Sequence, residues 1–158
     1  GALMRRTLKG MVPPSKYRIV FDPVKCRWCR SCELVCSLHH NGVCSPSLSR
    51  IHIALNAFEV EVAADICKQC RWPTCMFACP VEGAMTIDAD TGARIIVEEK
   101  CTGCGLCARE CPYNQENTII RLNPLTRKYF KCDLCGGKPQ CVDICPLEAL
   151  IYAETKEV

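Results

Sequence analysis

Sixteen of the seventeen cysteines in this 158-residue sequence fall into four groups of four. The first group is Cys26, Cys29, Cys32 and Cys36, and the second is Cys67, Cys70, Cys75 and Cys79. The third is Cys101, Cys104, Cys107 and Cys111, and the fourth is Cys132, Cys135, Cys141 and Cys145. Cys44 stands apart. Thiols spaced this closely are disulfide partners or metal ligands. Disulfide frameworks belong to small secreted domains, whereas clustered cysteines in a reducing compartment point to metal. "MRRTLK" has the look of a twin-arginine export signal, but "GMVPPSKY" follows in place of an apolar h-region. The expectation is therefore a cytoplasmic protein with reduced cysteines. No stretch approaches the ~20 apolar residues of a membrane span.

The spacing selects the metal. "CTGCGLCARECP" is Cys-x2-Cys-x2-Cys-x3-Cys-Pro, the run that holds [4Fe–4S] clusters in bacterial ferredoxins. Three thiolates two residues apart can wrap one corner of a cubane. The fourth lies beyond a helical turn and ligates the neighbouring cluster. Each group is then three-quarters of one site and one-quarter of another. Groups two and three pair as neighbours: Cys67, Cys70 and Cys75 with Cys111, and Cys101, Cys104 and Cys107 with Cys79. Groups one and four pair across the ends: Cys26, Cys29 and Cys32 with Cys145, and Cys132, Cys135 and Cys141 with Cys36. Sixteen cysteines thus make four [4Fe–4S] clusters. Zinc also uses Cys-x2-Cys pairs. However, it carries no proline rule, and three groups here end in Cys-Pro, at Pro80, Pro112 and Pro146. A zinc-stapled interaction module is the remote alternative.

These loops need positioning elements. Aromatic residues are only 6% of the chain, too few to build most of a core. Short β-branched segments flank every group: "YRIVFD" and "RIHIAL", "FEVEVAADI" and "AMTIDAD", "RIIVEE" and "NTIIRL", "RKYFK" and "ALIYAE". They read as strands. The three residues between third and fourth cysteines read as one helical turn. The repeat predicts an α+β fold of nested ferredoxin-like modules. Residues 17–60 and 124–158 form an outer module around an inner one at 61–123, behind a basic arm at 1–16. Gly103 and Gly105 are expected to let the backbone pass close to a cluster.

Other residues carry weaker signals. Cys44 reads as a small buried apolar residue, and His39 and His40 as surface residues. Trp28, Met76, Phe77, Leu106, Leu134 and Ile144 lie between ligands and read as shields against water. No pairing of Asp and Glu suggests acid–base machinery. The formal charge is +3, but each oxidised cubane with four thiolates adds about −2, giving about −5 for the loaded chain. The basic apo count therefore does not point to nucleic acid. Residues 1 to 30 nevertheless carry eight Lys or Arg against one acid, Asp22. In the arm, Met4, Leu8 and Met11 would share one helical face, with Arg5, Arg6 and Lys9 mostly facing away. This arm is expected to dock on a larger subunit or on further copies of the chain.

Taken together, "KCDLCGGKPQCVDICPLEAL", "CKQCRWPTCMFACPVEGAM" and "CTGCGLCARECPYN" resemble the four-cluster iron–sulfur subunits of molybdenum and tungsten oxidoreductases. The resemblance covers residues 17 to 153. It implies a non-catalytic subunit that relays electrons between a large metal-cofactor subunit and a distant acceptor, such as a flavin- or NAD-binding subunit or a ferredoxin. "CRWCRSCELVCSLHHNGVCSPSLSRIHI" is most similar to small subunits of tungsten aldehyde oxidoreductases, and to those of tungsten-type benzoyl-CoA reductases. A free-standing polyferredoxin is the alternative. Ser37 in place of proline after Cys36, and "CPYNQEN" without small residues after group three, depart from that pattern.

Overall fold

A computed structural model describes residues 12–155. Met4, Arg5, Arg6, Leu8, Lys9 and Met11 of the expected docking arm lie outside the described residues. The end of the arm is tied down. Ser15 is buried, and the Pro13 carbonyl accepts a hydrogen bond from Arg94.

The protein is a small mixed structure of short strands and short helices. All eight β-branched segments contain a strand. The strands are β1 (Tyr17–Phe21), β2 (Ile51–Asn56), β3 (Glu61–Ile66), β4 (Met85–Ile87), β5 (Arg94–Ile96), β6 (Arg121–Leu122), β7 (Tyr129–Phe130) and β8 (Leu150–Glu154). They form four two-stranded antiparallel ladders: β1–β8, β2–β3, β4–β5 and β6–β7. The first joins the two ends of the chain, with Tyr17 opposite Glu154 and Phe21 opposite Leu150. Tyr17 stacks on Tyr152 at 4.7 Å. The β4–β5 hairpin lies between groups two and three. The β2–β3 and β6–β7 hairpins pair chain neighbours, and so cross the positions 60/61 and 123/124 where the sequence suggested module boundaries. Of "NTIIRL", only the last two residues pair as a strand. Ile119 and Ile120 are buried in the core instead.

Four helices carry the third cysteine of each group, always as their second residue. They are α1 (Ser31–Asn41), α2 (Thr74–Ala78), α3 (Leu106–Glu110) and α4 (Gln140–Ile144). α1 packs on α4, and α2 packs on α3. The last three end where the sequence says they must. Cys79, Cys111 and Cys145 are extended caps, because a following proline disfavours the helical conformation. Group one lacks that proline. Its helix runs on through Cys36 to Asn41 and stops at Gly42, whose φ of 72° is left-handed. The single turn expected there is three turns.

Cysteine replaces the missing aromatics as core material. The larger buried cluster joins Ile19, Ile51, Ile53, Ile66, Leu134 and Leu150 with Cys32, Cys36, Cys132 and Cys141. The smaller comprises Cys75, Cys107, Ala108, Ile119 and Ile120. No helix among the described residues is long and apolar enough to cross a membrane.

Candidate metal centres

The tertiary structure mixes the sequence groups. Cys101, Cys104 and Cys107 line one cavity together with Cys79. Cys26, Cys29 and Cys32 line a second with Cys145. Cys67, Cys70 and Cys75 line a third with Cys111. Cys36, Cys132 and Cys141 meet in the larger core, and Cys141 feels the charges of Cys36 and Cys135.

A shared loop geometry presents these sulfurs. The residue two places after the first cysteine is left-handed in every group: Trp28 (φ 55°), Gln69 (φ 49°), Gly103 (φ 74°) and Leu134 (φ 59°). This turn aims its own N–H back at the sulfur. Trp28 N–H donates to Cys26 Sγ at 3.4 Å, Gly103 N–H to Cys101 Sγ at 3.4 Å, and Leu134 N–H to Cys132 Sγ at 3.5 Å. The fourth cysteines are served from elsewhere. Arg50 N–H reaches Cys36 Sγ at 3.3 Å, and Ala149 N–H reaches Cys145 Sγ at 3.3 Å. Such bonds stabilise sulfur as an anion.

The donor set fits an iron–sulfur cubane. Burial pushes the thiols of Cys32 and Cys75 up to about 12 and that of Cys107 up to about 11. Buried thiolates need a compensating cation, and a cationic metal core supplies it. Cys36 differs. Burial opposes its thiolate, but hydrogen bonds from His40 and Arg50 hold its pKa below the ordinary value.

Several expectations change. Cys44 is exposed, so it is not core material. His40 is not a surface residue. Its side chain is 9% exposed, and its Nε2 sits 3.0 Å from Asp133 Oδ1, while Nδ1 lies 2.9 Å from the Cys36 carbonyl. His39 is exposed, as expected. Leu134 is fully buried, but Trp28 and Ile144 are each 44% exposed and shield little. Gly103 and Gly105 also face close neighbours in the protein itself. A Cβ on Gly103 would fall on the Arg127 carbonyl, and one on Gly105 would sit 2.9 Å from the Tyr129 hydroxyl. The close neighbour is the turn before β7. In "CPYNQEN", Asn114 holds the turn. Its amide donates to the carbonyls of Ala108 and Ile120 and accepts from Ile119 and Ile120 N–H.

The sequence reading missed the buried polar groups. Glu33 is fully buried and binds His52 Nδ1 at 2.9 Å and Ile53 N–H at 3.1 Å, fastening α1 to β2. Lys131 is buried beside Cys67. Gln69 donates to the Cys132 carbonyl at 3.1 Å and accepts from Arg94 N–H at 2.9 Å. A charged residue in a short sequence window normally reads as surface, so no local signal marked these groups.

Residues 58–155 match the family of 4Fe–4S dicluster domains. The chain belongs to that family. It is therefore a 4Fe–4S, ferredoxin-like electron-transfer protein of the kind that serves oxidoreductases. It is 40% identical over 130 residues to the polyferredoxin-like subunit of an aliphatic sulfonate oxidoreductase from Pyrococcus furiosus, covering 80% of this chain and 70% of that one. It is 32% identical over 161 residues to the electron transport protein HydN of Escherichia coli, covering 89% of each. Its fold is similar to a chain in the active-site complex BamBC of benzoyl coenzyme A reductase, with a TM-score of 0.51 at 22% identity over 90% of this chain and 81% of that one.

Proposed function

We propose that this chain is a non-catalytic relay subunit that holds four [4Fe–4S] clusters and serves a tungsten or molybdenum oxidoreductase of the aldehyde oxidoreductase type. The carrying observation is the mixing of groups around each cavity. Three cysteines of one group meet the fourth of another. The proposed ligand sets are Cys26, Cys29, Cys32 and Cys145; Cys132, Cys135, Cys141 and Cys36; Cys67, Cys70, Cys75 and Cys111; and Cys101, Cys104, Cys107 and Cys79. Each bound cluster supplies one-electron redox chemistry. The protein's part is to exclude water, hold the sulfurs and donate hydrogen bonds to them.

The contacts support a line of sites in the order first, fourth, second and third group: α1 packs on α4, Gln69 donates to the Cys132 carbonyl at 3.1 Å, and α2 packs on α3. This order suits nested modules, 17–60 with 124–158 outside and 61–123 inside. A relay between a large cofactor subunit and an acceptor subunit, flavoprotein or ferredoxin uses such a line. The Pyrococcus relative, a named subunit, supports a subunit role. The similarity to HydN along its length favours a second reading, a free-standing carrier. In the subunit reading the N-terminal arm docks the chain to its partner.

Anaerobic preparation should give about sixteen iron atoms per chain and co-purification with a large subunit. Iron near twelve would remove one of the proposed sites and iron near eight would remove two, and zinc in its place would end the reading. Purification alone, fully loaded, would favour the free carrier.

A further inference from the structure

Resting on the four-cluster reading, we propose that Lys131 tunes the site of Cys67, Cys70, Cys75 and Cys111, raising its reduction potential and making it the station where an electron is best held. A lysine precedes the first cysteine in three groups, as Lys25, Lys100 and Lys131. Lys25 and Lys100 are exposed, and water screens an exposed charge. Lys131 is 1% exposed. Its Nζ donates to Cys67 Sγ at 3.4 Å and to the Arg94 carbonyl. Ion pairs among the described residues give it no carboxylate partner. Its counter-charges are the sulfurs.

The surroundings are built to keep it there. Arg50 donates to the Lys131 carbonyl at 3.1 Å. Arg94 Nε donates to the Cys70 carbonyl at 2.9 Å. Gln69 ties this loop to the Cys132 carbonyl at 3.1 Å. Lys131, Arg94 and Gln69 therefore form a polar seam between two consecutive sites, with the ammonium nearest the Cys67 site. An arriving electron adds one negative charge. A fixed buried cation stabilises that reduced state more than the oxidised one, so the potential rises. The same charge acts more weakly on the Cys132 site, and least on the two end sites.

The test is Lys131→Gln in the complete, anaerobically loaded chain, because glutamine can still donate to sulfur but carries no charge. Iron content and the visible spectrum should be unchanged. A potentiometric titration followed by electron paramagnetic resonance should show one midpoint falling by a tenfold change in the reduction equilibrium or more, which is 59 mV for one electron. A neighbouring midpoint should fall less. Lys100→Gln should move every midpoint by less than threefold. If Lys131→Gln keeps its iron and moves no midpoint beyond threefold, the proposal is overturned. Loss of about four iron atoms in Lys131→Gln, with Lys131→Arg keeping them, also overturns it, since the residue would then be structural. A wild-type chain holding far fewer than sixteen iron atoms would instead fail the four-cluster reading itself.

Discussion

Groups one and three have identical cysteine spacing, yet they leave their sites in different ways. Group three ends at Cys111, an extended cap before Pro112. Asn114 then gathers the turn through four hydrogen bonds and sends the chain into the small core. Group one keeps Cys36 inside an eleven-residue helix. There Ser37 is fully buried. Its hydroxyl donates to the Leu34 carbonyl at 3.0 Å and accepts from Ser45 N–H at 2.9 Å. The loop so held brings Arg50 N–H to Cys36 Sγ. Ligand spacing specifies how sulfurs are presented, and the residue after the last cysteine specifies where the chain goes next. The long helix has a use at this point. It carries His40 against Asp133, joining groups one and four.

Exchanging the two exits is the strongest way to break this contrast. Ser37→Pro removes a helical N–H and drives the ring into the Glu33 carbonyl, so it should cost about 3 kcal/mol or more. Chemical unfolding of the loaded chain measures this. The converse change, Pro112→Ser, should cost less than about 1 kcal/mol, since the proline acts mainly through the unfolded state. If both cost the same, the exits are not specified by this residue.

Asn114→Ala tests the other exit. It leaves two N–H groups and two carbonyls of the group-three turn without their partner, which should cost about 2 kcal/mol. The same unfolding curve reads it. Faster hydrogen exchange at Ile119 and Ile120 should accompany the loss, because Asn114 accepts from both amides.

The left-handed loop position sharpens the comparison further. Gly103→Ala adds a Cβ at positive φ that also meets the Arg127 carbonyl, so it should cost more than the about 1–2 kcal/mol of the left-handed conformation alone. The equivalent residue of group one is Trp28, which is 44% exposed. Trp28→Gly should change stability by less than about 1 kcal/mol. A large loss there would mean that the indole supports its loop after all. The smallest effect is expected at Cys44, outside both groups and exposed. Cys44→Ala should leave iron content unchanged and stability within about 0.5 kcal/mol. A drop in iron would make Cys44 a ligand.

The cysteine rhythm was fully legible in the sequence. So was the mix of short helices and strands, with a strand in each of the eight segments, though in "NTIIRL" only its last two residues pair. Each is a local property: thiol spacing, β-branched runs, and proline after cysteine, all of which act within a few residues. The length of α1 was not legible. Ser37 marked the missing proline, but a single turn was expected, and the helix stops only at Gly42. The strand partners were not. The expected module boundaries at 60/61 and 123/124 fall inside the β2–β3 and β6–β7 hairpins, and such short hairpins close with little loss of chain entropy. The burial of Lys131, Glu33 and His40 was illegible for a related reason. Lys25, Lys100 and Lys131 have the same local context, a lysine before a cysteine. Only the second core, folded against the first, takes one of them out of water and leaves the other two in it. Burial of a charge depends on what arrives from far along the chain. Here Arg94 and Cys67 meet Lys131 across separations of 37 and 64 residues, beyond the reach of any local pattern.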